Sequence, residues 1–385
     1  MDRRQFIQVA GVGSLAMMLT PLAQAADAAA ATQARLADHV SEKELTRIVW
    51  GSCCHQDKPQ PIWDPLNDFK PDLFIMLGDN IYADTTDMTV MAHKYQMLGN
   101  QPGFKRVRAH CPVVAIWDDH DYGVNDGGAE YPMRNQSKQI MLDFFEEPAD
   151  SPRRARAGNY VSYLFGPAGR RVQVILPDSR YFRSPIKSSA EPRGKDVRGE
   201  YTATYDPSQT MLGEEQWQWL AQQLQQPADL RIFGMGTQFL AEFNGYEAWA
   251  NFPLERERLL TMLREYKVEH AFFISGDTHW AELSRVHLNY LYPLYDMTSS
   301  GLTEVWNNVG PNLHRLGRSY LGQNFGSIEI DWQSSQPAIT LQIHDVTGKV
   351  QLERKIPLKE LEFGNAVSHQ DQTTTGASNS AWFAK

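Results

Sequence analysis

Residues 113–121 read Val113-Val114-Ala115-Ile116-Trp117-Asp118-Asp119-His120-Asp121. An unbroken apolar run ends abruptly in three carboxylates around one imidazole. The apolar half has the length and β-branched content of a buried strand. The acidic half cannot follow it into a core, where ionised carboxylates lose their hydration. It also makes a poor solvated helix face. The chain therefore passes from a strand into a loop whose charges call for a partner.

The same construction recurs three times. The run Arg47–Gly51 leads into Ser52-Cys53-Cys54-His55, and Leu73–Leu77 leads into Gly78-Asp79-Asn80-Ile81-Tyr82. The run 271–274 leads into Ser275-Gly276-Asp277-Thr278-His279. Further apolar runs lie at Val172–Leu176 and 231–234, and stretches 133–146, 214–225 and 254–266 have helical spacing. In the second of these, Trp217, Leu220, Ala221 and Leu224 share one face. Strands interleaved with helices predict an α/β fold. Beyond Gly326 the pattern is β alone, with 327–332, Ala338–Asp345 and 350–356 around a Thr347-Gly348 turn. Residues 45–362 read as the folded domain, with 183–210 as a long loop and 363–385 as a flexible tail.

The chain has 385 residues, a formal charge of −9, 42% apolar and 22% charged residues, which excludes disorder throughout. Net acidity removes any general electrostatic reason to bind nucleic acid. Three cysteines are too few for a disulfide scaffold. At the amino end, Arg3-Arg4-Gln5-Phe6 precedes an interrupted apolar run and Ala23-Gln24-Ala25. Residues 1–25 read as a twin-arginine signal peptide and 26–44 as a linker. The expected location is periplasmic or secreted, reached through the twin-arginine machinery. The run is too short and too broken for a membrane span, so none is expected in the mature chain.

Open α/β sheets bind ligands beyond the carboxyl ends of their strands. Four loops gathered there would pool a thiol, carboxylates, imidazoles and a phenol, donors suited to a transition metal or to a mixed iron and calcium site. Bound cations would relieve the repulsion among so many acids. Arg180 and Arg183 follow Val172–Leu176 with guanidinium forks suited to phosphate oxygens. Trp63, Tyr122, Trp249 and Trp306 are candidates for pocket walls, and His314 and Asn324 for its rim.

The order and spacing of these motifs resemble the calcineurin-like metallophosphoesterases, and more closely the alkaline phosphatase D family of PhoD-like phosphatases. The resemblance rests on Gly-Ser-Cys at 51–53, Gly-Asp-x-x-Tyr at 78–82, Trp-Asp-Asp-His-Asp at 117–121, Asp-x-Arg-x-x-Arg at 178–183 and Ser-Gly-Asp-x-His at 275–279. It implies an αββα sandwich of two mixed β-sheets flanked by helices. It implies metal ligation by Cys53, Asp79, Tyr82, Asp119, Asp277 and His279, holding ferric iron and calcium or other divalent metals, and Asn125 and Asp126, just after the Trp-Asp-Asp-His-Asp loop, are candidates for a further calcium ligand. His55, Asp118, Asp121 and Gln238 are candidates for further metal contacts or for support behind the ligands, Asp118 and Asp121 by orienting His120. His120, with Asp119, Arg180 and Arg183, is the expected catalytic set. The implied reaction is attack by a metal-held hydroxide on a phosphate mono- or diester, without a covalent phosphoenzyme. A phosphodiesterase resembling phospholipase D, or a non-catalytic exported binder of metal or phosphate, are the rival expectations.

Overall fold

The computed structural model describes residues 38–189, 199–242 and 244–364. The segment expected to be an export signal lies outside them, as does the sequence beyond Gly364. The described strands are β1 (His39–Ser41), β2 (Arg47–Gly51), β3 (Leu73–Leu77), β4 (Val113–Ile116), β5 (Val161–Phe165), β6 (Val172–Leu176), β7 (Leu230–Met235), β8 (Ala271–Ser275), β9 (Ala281–Val286), β10 (Leu294–Ser299), β11 (Asn324–Asp331), β12 (Ala338–Asp345) and β13 (Val350–Pro357). They form two mixed sheets, ordered β13-β12-β11-β2-β3-β4 and β1-β5-β6-β7-β8-β10-β9. Helices flank the sheets, including Met88–Asn100, Arg134–Phe144, Glu214–Leu224 and Pro253–Glu265. Among the described residues no helix is long and apolar enough to cross a membrane.

Burial explains the pattern. Every residue of β3, β5, β6 and β8 is buried, as expected for strands covered on both faces. Each buried Leu or Ile contributes about 1.5–3 kcal/mol, so one such strand outweighs any single polar contact. Strand β13, at an edge, alternates instead and keeps Ile356 inward. The sheets meet closely at Gly234 of β7. A Cβ there would lie 2.5 Å from Leu176 of the same sheet and 2.8 Å from Leu77 of the other.

Three expectations need correction. The segment 26–44 is not all linker, because His39–Ser41 pairs in parallel with Tyr163–Phe165. Asp38 anchors it, accepting from Arg156 at 2.8 Å and from the Ser162 amide at 3.0 Å. Strand β4 stops at Ile116, and Trp117 turns its indole N–H to Asp178 at 2.8 Å. Strands β5, β9 and β10 and the helices Trp63–Phe69, Met88–Asn100 and Pro102–His110 add to the elements anticipated. Strand β10 escaped detection because its Leu-Tyr-Asp-Met-Thr-Ser run looks half polar. All six residues are buried, and Asp296 is satisfied by the Phe239 and Leu240 amides and the Ser275 hydroxyl.

Candidate metal centre

Parallel pairing aims the carboxyl ends of β2, β3 and β4 the same way, and likewise those of β7, β8 and β10. The loops leaving these ends meet. The Cys53 amide donates to the Gly78 carbonyl, and the Gly276 amide to the Gly236 carbonyl. The backbone is strained to bring them together. Of the ten described non-glycine residues at positive φ, six lie here: Cys53, Asp79, Asp84, Asp126, Asp277 and His279. Positive φ is costly for side-chain-bearing residues, and its concentration at one place marks a functional site.

Cys53 Sγ lies 3.3 Å from Asp79 Oδ2, 3.0 Å from Ser300 Oγ and 3.7 Å from the Asp277 carbonyl. The Tyr82 hydroxyl donates to Asp79 Oδ2 at 3.2 Å and lies 3.0 Å from His279 Nε2. Ser300 Oγ also accepts from the His279 amide at 2.8 Å. Four sets of donor atoms each fall within 4.8 Å of one another: Cys53, Asp79 and His279; Asp79, Asp119 and His120; Asp118, Asp119 and Asp277; Asp119, Asp126 and Glu247. Asp79 and Asp119 are shared, so the sets form one chain. It runs from sulfur, phenol and imidazole at one end to carboxylates alone at the other.

Electrostatics fits bound cations. The acid forms of Cys53, Asp79, Tyr82 and Asp277 are all favoured, first by burial and then by neighbouring acidic groups. Asp119 is the exception: burial opposes its charge, but Arg180 and His120 overcome this and hold its carboxyl below the usual range. Burial lowers His279 to about 4, leaving a neutral imidazole able to ligate. Asp118 Oδ2, Asp119 Oδ1 and His279 Nδ1 are buried without a hydrogen-bond partner. Buried lone pairs are rarely left so, and cations among these atoms would satisfy them and release the protons.

His120 sits at the edge of the cluster, its ring 4.2 Å from that of Tyr82. Its Nδ1 lies 2.8 Å from an Asp84 oxygen, and the Ala83 amide donates to its carbonyl at 3.1 Å. Burial opposes its charge, yet Asp79, Asp84 and Asp119 lift it to about 10. Asp84 was missed in the sequence, although it lies two residues after the Tyr of the Gly-Asp-x-x-Tyr motif. Glu247 was also missed, and no local pattern announces it.

Other candidates are placed differently. Asn125 is exposed, and the turn carries Asp126 inward instead, with its amide on Asp119 Oδ2 at 2.8 Å and its carboxylate accepting from Tyr201. Arg180 is fully buried, its fork taken by Asp118 at 2.5 Å and Glu247 at 2.6 Å. Arg183 is held by Glu247 at 3.1 Å and by the Asp126 carbonyl. Both arginines are therefore paired with acids of the cluster. The His120 ring pairs with Asp84, whereas Asp121 accepts from the Asp79, Asp118, Asn80 and Tyr95 donors and pins the loops. Gln238 is drawn away from the cluster to Glu282 and Thr298, both at 2.9 Å. His55 stacks on Tyr82 at 4.9 Å, outside the four donor sets. Trp63, Tyr122 and Trp249 are core residues, whereas Trp306 is 42% exposed. Asn324 is buried on Ser299, and His314 faces Glu242 at 3.5 Å.

The chain is 21% identical over 261 residues to alkaline phosphatase D of Bacillus subtilis (strain 168), an alignment covering 57% of this chain and 43% of that protein. It thus spans less than half the length of this curated relative. A solved structure of PhoD matches with a TM-score of 0.60 at 17% identity, covering 81% of this chain and 72% of that one. GAP50, described as the anchor in the inner membrane complex of Plasmodium, matches with a TM-score of 0.51 at 14% identity, covering 82% and 89%. These likenesses establish a shared fold. The PhoD-like phosphatase family model matches residues 48–355, well over half of the sequence, and the chain belongs to that family.

Proposed function

We propose that this chain is an exported, metal-dependent hydrolase of phosphate mono- or diesters. One observation carries the reading: buried donors linked through Asp79 and Asp119, several of them without hydrogen-bond partners, lie directly beside His120. Cys53, Tyr82 and His279 suit ferric iron, Asp79 is placed to be shared, and Asp118, Asp119, Asp126 and Asp277 suit a hard cation such as calcium. Such cations supply Lewis acidity toward phosphoryl oxygens and ease the ionisation of water.

The chain's own groups do the rest. Arg180 neutralises part of the acidic cluster and orients Asp118 and Glu247. Asp84 engages Nδ1 of His120, which leaves Nε2 to hold a proton toward the departing alcohol oxygen. Contact with the tilted Tyr82 ring, 4.2 Å away, limits rotation of that imidazole. Asp121 ties the Asp79 and Asp118 loops together, so the two shared carboxylates keep their spacing.

The test is hydrolysis of p-nitrophenyl phosphate and bis-p-nitrophenyl phosphate, with elemental analysis of protein purified after native export. Asp79→Asn is expected to lose most bound metal and about 100-fold or more in kcat on both esters. Normal metal content with full activity in that variant would remove Asp79 from the site. Export is supported by Arg3-Arg4 before Phe6 and the Ala23-Gln24-Ala25 exit. Replacing both arginines with lysine is expected to hold the precursor inside the cell; undiminished export refutes the assignment.

A further inference from the structure

We infer that Trp306 is a specificity-determining platform that selects phosphoesters whose alcohol carries a flat ring, whether aromatic or the C–H face of a sugar. The inference rests on the hydrolase reading and names its substrate class. Of the four aromatic residues that could wall a pocket, three are sealed in the core, and Trp306 alone is open, at 42% exposure. It is held in place despite that exposure. Its amide donates to the His279 carbonyl at 2.9 Å, and its ring meets the His279 ring edge-on at 4.9 Å and 88°. Tyr246 buttresses it at 5.6 Å. An indole packed against a candidate metal ligand, and still 42% open to water, offers a low-entropy apolar contact beside the donor cluster. A ring-bearing alcohol covers this exposed surface, whereas a methyl group cannot.

The experiment reads binding apart from chemistry. Inhibition constants are measured for inorganic phosphate, methylphosphonate and phenylphosphonate with the metal-loaded full chain. The ratio of the methylphosphonate constant to the phenylphosphonate constant cancels any general damage to the site. It is expected to be about 5–10 in the wild type, to stay within about twofold of that in Trp306→Phe, and to fall to about 1 in Trp306→Ala. A wild-type ratio near 1 overturns the inference without recourse to any variant, and so does a ratio that survives Trp306→Ala. Phosphate binding without ring preference overturns this inference alone. A metal-loaded protein that neither binds phosphate nor hydrolyses any ester overturns the hydrolase reading and this inference together.

Discussion

Asp84 shows how a single side chain sets the chemistry of its neighbour. Its carboxylate lies 2.8 and 2.9 Å from His120 Nδ1, on a backbone held at φ 44°. Removing the charge frees the imidazole to tilt and to exchange its proton, and Asp84 itself belongs to none of the four donor sets. Asp84→Asn is therefore expected to lower kcat by about 10–100-fold with metal content unchanged. The loss should be larger for phenyl phosphate than for p-nitrophenyl phosphate, because a poorer leaving group depends more on protonation. An equal loss on both esters would mean that Asp84 only supports the loop. Cys53, Asp79, Asp119, Asp277 and His279 were legible in the sequence because each sits immediately beyond an apolar run that ends in a strand. Asn125 and Asp126 were both candidates in the sequence, and the direction of the turn decides that Asp126 is the one that points inward. Arg180 and Arg183 looked like phosphate ligands because Glu247, which occupies both, lies more than sixty positions away and carries no local signal.

At the scale of elements, the site exists because loops pack closer than side chains normally allow. Gly78 joins β3 to Asp79 at φ 89°, and a Cβ there would stand 2.5 Å from the Asp118 amide nitrogen and 2.8 Å from the Trp117 carbonyl carbon. Those neighbours are backbone and cannot swing away. Gly78→Ala combines left-handed strain with overpacking and should cost roughly 2–4 kcal/mol. It should also separate the Asp79 and Asp119 loops, so urea unfolding and metal content are expected to fall together. Wild-type stability and metal content in that variant would show that the loops have slack. The strands legible in the sequence, such as β3 and β6, are buried on both faces and therefore uniformly apolar. Strand β9 was hidden by Glu282, which is buried yet satisfied by Gln238, Asn312 and Arg315. Polar residues of that kind erase the periodicity on which strand recognition depends.

Across the whole molecule, the two sheets are tied at their edges by one buried polar knot. Arg153 reaches the Ala115 carbonyl of β4 at 2.7 Å and the Asn159 carbonyl at 2.9 Å, and pairs with Glu147 at 3.4 Å. Glu147 in turn lies 2.9 Å from His39 Nε2 in β1, the edge strand of the other sheet, and accepts from Ser151 at 2.5 Å. Burial alone would raise the Glu147 carboxyl, but His39, Arg153 and Ser151 overcome it and hold it at about 2, against an ordinary 4.5. A depressed carboxyl stabilises the fold fully above its unfolded value. That stabilisation drains as pH falls from about 4.5 to about 2, because protonating the native state first requires breaking the knot. It amounts to roughly 2–3 kcal/mol. Glu147→Gln keeps the shape but removes the titration. It is expected to be less stable than the wild type at pH 7, with the gap narrowing steadily below pH 4.5, as read from urea midpoints at each pH. A gap that stays constant down to pH 3 would assign the acid sensitivity to other carboxyls and leave the knot a matter of packing.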